Sequence, residues 1–187
     1  MKTLNFSPDE SFRKLVAAWK FLAAVPVGFT LLAWFLFSSA PPSGDDVRTI
    51  FKVLLALSIA IFGMQLYIRW GLRDQNLFTR VMTPDGWGFP PEQVKKLNRT
   101  SAEERGAWLI LRVHRSMGIV IWLLAESIAF YGLILTILSG EARYTYLFAL
   151  LAFADLLYFY PRKSTYDGQV SRWRSYLKDR SEDPSLR

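Results

Sequence analysis

The chain contains no cysteine and a single histidine, and both shortages limit the chemistry it can perform. Without cysteine there is no disulfide framework, no thiol nucleophile and no cysteine-based metal site. A lone histidine excludes a His-rich metal or haem site. The sequence also lacks a phosphate-cradling glycine loop and a Ser-His-Asp arrangement. We therefore expect no metal and no other cofactor, and nothing in the sequence indicates an enzyme.

Apolar residues, by contrast, are abundant and occur in blocks. Hydrophobic residues make up 51% of the chain and aromatic residues 16%. A hydrocarbon core of about 30 Å requires roughly 20 apolar helical residues. Four blocks reach about this length, at residues 15–37, 50–70, 117–139 and 144–160. Because backbone groups in lipid must be paired and the blocks do not alternate as barrel strands do, we predict an all-α integral membrane four-helix bundle.

Basic residues are concentrated in the central loop 71–116 and in the tail 161–187, whereas the other two loops are short and nearly neutral. The positive-inside rule then places both termini and the central loop in the cytoplasm, an N-in/C-in topology. This topology accounts for the net charge of +7, so nucleic acid is not an expected partner. We expect residues 1–187 to form a single membrane domain, multi-pass in the cell (inner or plasma) membrane.

Local patterns refine this topology. Ser101 with Glu104 forms a capping-box pattern, as Ser7 does with Glu10, so the first and third helices should begin before their apolar blocks. Small residues at helical spacing predict close helix contacts, at Ala56, Ala60 and Gly63 and at Ala125, Ala129 and Gly132. In the tail, apolar residues recur at helical spacing among basic ones. This pattern is typical of a helix on an anionic lipid surface, with Arg172, Trp173, Arg174 and Lys178 as the lipid-contacting residues.

Each of the four predicted spanning helices carries one polar residue in its cytoplasmic half, namely Lys20, Gln65, Glu126 and Asp155. Ionisable residues at this depth are costly and call for a reason. In a structural interpretation, Lys20 forms an ion pair with Asp155 or Glu126, and Gln65 forms a hydrogen bond with the remaining acid. These contacts would hold the helices together. Alternatively, Lys20 extends to the interface and leaves the acids without it. In a functional interpretation, Glu126 or Asp155 exchanges a proton or holds a cation.

The stretch Leu124–Leu138, LAESIAFYGLILTIL, resembles the ion-carrying helix of the c subunit of rotary ATP synthases, particularly the sodium-binding type. In that family a Glu-Ser pair, with a Tyr four residues beyond the Ser, helps to hold the ion or proton. The resemblance implies this role for Glu126, Ser127 and Tyr131, with Gln65 as a loose counterpart of a Gln on the preceding helix. It concerns one helix, and we do not infer a rotor subunit.

Two hypotheses of different kinds follow. The first is a small accessory or structural subunit that packs in the bilayer against partner membrane proteins or against itself, for which the seven Trp and fourteen Phe would suit lateral contacts. The second is a proton- or cation-handling membrane protein built on the buried carboxylate of Glu126.

Overall fold

A computed structural model describes residues 8–37, 47–71, 92, 95, 97 and 99–182. In this part of the chain there are no strands, and the long helices are α1 (Pro8–Phe37), α2 (Arg48–Gly71), α3 (Ala102–Ser139), α4 (Arg143–Tyr158) and α5 (Lys163–Glu182). Four helical stretches are long and apolar enough to cross a membrane. The predicted all-α fold with four membrane-spanning helices is confirmed. The N-in/C-in orientation stays a prediction.

The start of α3 shows how the sequence sets a helix boundary. The hydroxyl of Ser101 accepts a hydrogen bond from the backbone N–H of Glu104, over 3.2 Å. This contact satisfies one of the four N–H groups that a helix start leaves without a partner. The helix therefore begins at Ala102, well before Met117, as the capping pattern predicts. The second capping pattern, at Ser7, lies outside the described residues.

The chain divides into two compact units, which are described separately. The bundle unit comprises Leu15–Ile68 and Gly118–Tyr160 and contains the apolar parts of α1 to α4. The terminal unit comprises Met1–Lys14, Arg69–Met117 and Pro161–Arg187, and it contains the beginning of α3 and all of α5.

The core of the bundle unit includes a close approach of α3 and α4. A Cβ on Gly132 would lie 2.6 Å from the Cβ of Phe148 and 2.8 Å from the carbonyl oxygen of Tyr144, so only glycine fits there. Ala125 and Ala129 are also buried, which confirms the close contact predicted for these three small residues. The buried apolar cluster around them consists of Val47, Ile128, Ala129, Leu135, Phe148 and Ala152.

A tight turn joins α3 to α4. Gly140 ends α3 with a φ of 72°, a conformation that side chains disfavour, and its N–H donates to the carbonyl of Thr136. The Thr136 hydroxyl donates to the carbonyl of Glu141 (3.0 Å) and lies 2.8 Å from the hydroxyl of Thr145. The turn thus pairs polar groups that would otherwise be left unsatisfied at the end of an apolar hairpin.

Candidate functional site

Glu126 lies along the side of α3 that faces α1. Gly118 and Phe130 share that side, because residues four apart occupy one face of a helix. Leu15 packs beside Gly118, and the ring of Phe29 lies 6.3 Å from that of Phe130. Glu126 lies between these two contacts along the helix. Both of its carboxyl oxygens are buried and, among the described residues, neither has a hydrogen-bond partner.

The hydroxyl-bearing residues Ser127 and Tyr131, which we expected beside this carboxyl, contact other groups instead. The Ser127 hydroxyl donates to the carbonyl of Leu123 on its own helix, over 3.2 Å. Tyr131 is half-buried and packs against the apolar core of the bundle unit. Neither hydroxyl therefore closes the hydrogen-bonded cluster that the resemblance to c subunits implies. The resemblance itself stays a prediction.

Gln65 and Asp155 come together on α2 and α4. Gln65 is 0% exposed, and its side-chain Nε2 donates to the backbone carbonyl of Ile121 over 2.8 Å. Its amide lies beside the carboxyl of Asp155, which is 6% exposed. Even so, no described residue makes a hydrogen bond with acceptable distance and angle to either carboxyl oxygen of Asp155 or to Oε1 of Gln65.

The pair and Glu126 occupy different places on α3. From Ile121 to Glu126 the helix advances about 7.5 Å and turns by about 140°. Ile121, which bonds Gln65, shares its face with Ile128, which lies in the core cluster that residues of α2 pack against. Glu126 lies instead on the α1 side. The structure thus brings Gln65 and Asp155 together but does not add Glu126 to them.

Lys20 does not form the ion pair that the structural interpretation requires. The lysine is exposed, and in the part of the chain that the structure describes it pairs with neither Glu126 nor Asp155. Its neighbour Trp19 contacts the ring of Tyr160 at 4.8 Å, near the end of the bundle, so the long aliphatic stem can carry the ammonium group to the interface. This placement agrees with the alternative interpretation, in which Lys20 extends to the interface and pairs with neither Glu126 nor Asp155.

Two tryptophans make contacts that the sequence did not predict. The indole nitrogen of Trp19 donates to the carbonyl of Leu156 (3.0 Å), and that of Trp122 donates to the carbonyl of Phe159 (3.2 Å). Both carbonyls belong to the end of α4, where helical partners run out. Interfacial tryptophan is a general signal in membrane proteins, but nothing in the sequence assigns either ring to these carbonyls.

The residues expected at the lipid surface are placed differently from one another. Trp173 is 1% exposed and lies against Gly106, in an apolar cluster with Leu109 and Ile110 of α3, instead of facing lipid. The apolar side of α5 is therefore covered by the protein itself. Arg174 pairs with Glu103 through its Nε, at 2.6 Å. The basic side chains of Arg172 and Lys178 are exposed. Their contact with anionic lipid stays a prediction.

The fold defines a class, an all-α polytopic protein with four helices suited to a membrane. No protein-family model, curated protein or solved structure matches the chain. Among the described residues, no group of three or more His, Cys, Asp and Glu side chains could hold a metal ion.

Proposed function

We propose that this protein handles protons or cations through carboxyl groups buried in its helical bundle. The observation that carries this proposal is that both oxygens of Glu126 and both oxygens of Asp155 are buried without a hydrogen-bond partner among the described residues. A charged carboxylate in a low-dielectric interior is costly unless it is paired. Each acid is therefore suited to take up a proton or a positive ion.

A purely structural role for these acids has less support. Such a role needs a partner to compensate the burial, and Lys20 does not supply one to either acid in the described structure. Each buried polar group without a partner costs about 1–3 kcal/mol. Acids that stabilise the fold so poorly are better explained by a function that needs them inside the membrane.

The accessory-subunit hypothesis rests on the outer surface. Only 11% of the apolar window of α2 is buried within the chain. Large apolar side chains point outward from this helix and from α1, including Phe21, Trp34, Phe35, Tyr67 and Trp70. Lipid can cover such a surface, and so can a partner membrane protein. Extraction of the protein from membranes in mild detergent distinguishes these possibilities. Recovery with a stoichiometric partner would indicate a partner protein, and recovery alone would indicate coverage by lipid.

Modification by dicyclohexylcarbodiimide tests the ion-handling proposal. This apolar reagent enters membranes and reacts with protonated carboxyls. Wild-type protein in its native membrane should be modified at Glu126 at mildly acidic pH, and mass spectrometry of the peptide locates the adduct. Protection by sodium would indicate a metal cation at this residue, and protection by raised pH alone would indicate a proton.

The control variants are Glu126→Gln and Glu141→Gln. The first should remove the adduct and leave stability nearly unchanged, because Glu126 has no partner to lose. The second alters a carboxylate that is paired with Arg143 at the turn after α3, and it should leave labelling of Glu126 intact. An unmodified Glu126 together with a destabilised Gln variant would show a packing role and refute the proposal.

A further inference from the structure

We infer that a basic stripe on α3 binds the phosphate of an anionic lipid, through Arg115 with Arg112 beside it. The basic stripe consists of Arg105, Trp108, Arg112 and Arg115, which all belong to the terminal unit. It is separate from the buried carboxyls of the bundle unit and from the basic residues of α5. Its exposure, its charge, its distance from the predicted span and the contact of one guanidinium group point to this ligand.

The four residues of the basic stripe share one side of α3. They are separated by three, four and three positions, and at about 100° per residue this spacing confines them to an arc of about 80°. α5 contacts a different side of the helix, at Gly106 through Trp173. Gly106 lies about 140° around the helix from the middle of the stripe. Arg112 and Arg115 are exposed, so the stripe is an outer surface of the terminal unit.

The charge of the basic stripe is not balanced within this part of α3. From Arg105 to Ala125 the helix contains three arginines and no Asp or Glu. By contrast, Arg174 of α5 pairs with a carboxylate, that of Glu103. A surface with one sign of charge attracts ligands of the opposite sign, so the stripe favours an anion.

The basic stripe begins where α3 leaves the hydrocarbon core. The third predicted span starts at Met117, and along a helix that crosses the membrane directly Arg115 and Arg112 lie about 3 Å and 7.5 Å beyond it. The headgroup layer on each side of a bilayer is roughly 5–8 Å thick. Helical side chains lean toward the N-terminus, which for α3 is away from the hydrocarbon. Arg115 therefore reaches the lipid phosphates and Arg112 the outer edge of the layer. Arg105 lies about 18 Å beyond Met117, outside the layer.

Trp108 orients one of the two guanidinium groups. The Cζ of Arg112 lies 5.1 Å from the centre of the Trp108 ring, a cation–π contact. This contact uses the face of the guanidinium plane, whereas a phosphate binds the N–H groups at its edge, so the two contacts are compatible. Trp108 packs in turn against the apolar cluster that contains Leu109 and Trp173. A guanidinium held in this way loses less conformational freedom on binding than a mobile one.

Native mass spectrometry of the full-length protein in a mild detergent tests the inference, with phosphatidylglycerol as the anionic lipid and phosphatidylcholine as the neutral one. Wild type should bind phosphatidylglycerol more tightly. Arg115→Gln should weaken this binding about five-fold, as expected for one basic residue at an anionic surface, and Arg112→Gln should weaken it further in the double variant. Arg105→Gln, outside the headgroup layer, should bind like wild type. Phosphatidylcholine binding should be equal in all variants, which verifies that they are folded.

Equal phosphatidylglycerol affinity in wild type and in the Arg112→Gln, Arg115→Gln double variant would overturn the inference and leave an acidic protein segment as the alternative ligand. A loss of affinity in Arg172→Gln and Lys178→Gln instead would move the lipid contact to α5 and would also overturn it. Calorimetry with inorganic phosphate in a non-ionic detergent should show no binding. Binding of inorganic phosphate that Arg115→Gln abolishes would assign the basic stripe to a soluble anion and refute the lipid assignment.

Discussion

The indole nitrogen of Trp122 lies 3.2 Å from the carbonyl oxygen of Phe159 and donates a hydrogen bond to it. Phe159 follows directly after α4, where the last carbonyls of a helix have no partner within the helix. Trp19 on α1 makes the same kind of bond to Leu156, over 3.0 Å. Two tryptophans, one on α1 and one on α3, thus donate hydrogen bonds to carbonyl groups at the end of α4. Such bonds matter near hydrocarbon, because little water is present there to pair with a free carbonyl.

Replacing Trp122 with Phe should destabilise the bundle. The change keeps an aromatic ring but removes the only donor of the indole, so the Phe159 carbonyl loses this bond. Such a loss costs about 1–3 kcal/mol. Thermal unfolding of the purified protein in detergent should show a lower midpoint. The control is Trp34→Phe, since Trp34 is 60% exposed and should tolerate the change. Equal midpoints for both variants would mean that the bond contributes nothing.

The contact between α3 and α4 predicts a sharp difference between two glycines. Gly132→Ala places a methyl group against Phe148 and the backbone of Tyr144, and overpacking of this kind costs about 1–3 kcal/mol. Gly63→Ala on α2 meets nothing within 4 Å and should gain up to about 1 kcal/mol from helix propensity. Unfolding midpoints should therefore move in opposite directions. A shift of Gly132→Ala in the same direction as Gly63→Ala would contradict the close helix contact.

In the terminal unit, a methyl group on Gly106 would overlap the indole of Trp173. We expect Gly106→Ala to displace α5 from α3. Because trypsin cleaves locally unfolded segments faster, the C-terminal helix should then be cut faster at its basic residues. Gly168→Ala, within α5, has open space around the new methyl group and should be cleaved at the wild-type rate or more slowly. Equal cleavage of all three proteins would show that Gly106 is not needed for this packing.

The N-in/C-in topology can be tested cleanly because the chain has no cysteine of its own. Single cysteines at Ser43 and Ser181 should label differently with an impermeant maleimide in intact cells. Ser43 lies in the first short loop, outside the described residues, and should react from outside. Ser181, near the end of α5, should react only after the membrane is permeabilised. Labelling of Ser181 alone in intact cells would invert the topology.

Small residues illustrate what a sequence pattern can and cannot specify. Ala129 and Gly132 pack against α4 and Ala125 is buried, in keeping with the close contact that their spacing predicts. Ala56 and Ala60, with Gly63, have similar spacing but are exposed, and a Cβ added at Gly63 would meet no other described part of the chain within 4 Å. A row of small residues produces a groove on a helix. Whether a neighbouring helix fills that groove depends on the packing of the whole bundle.

The sequence alone determined the number of helices apolar enough to span a membrane, their approximate bounds and the position of each polar residue along its helix. These features follow from the length of apolar blocks, from capping residues and from a constant rise per residue. Tertiary structure decided which polar groups meet. It joined Gln65 to Asp155, placed Glu126 along α1, left Lys20 exposed and buried Trp173 against Gly106. Depth along a helix can be counted from the sequence, but the rotation of each helix about its axis is set by how side chains from several helices pack together.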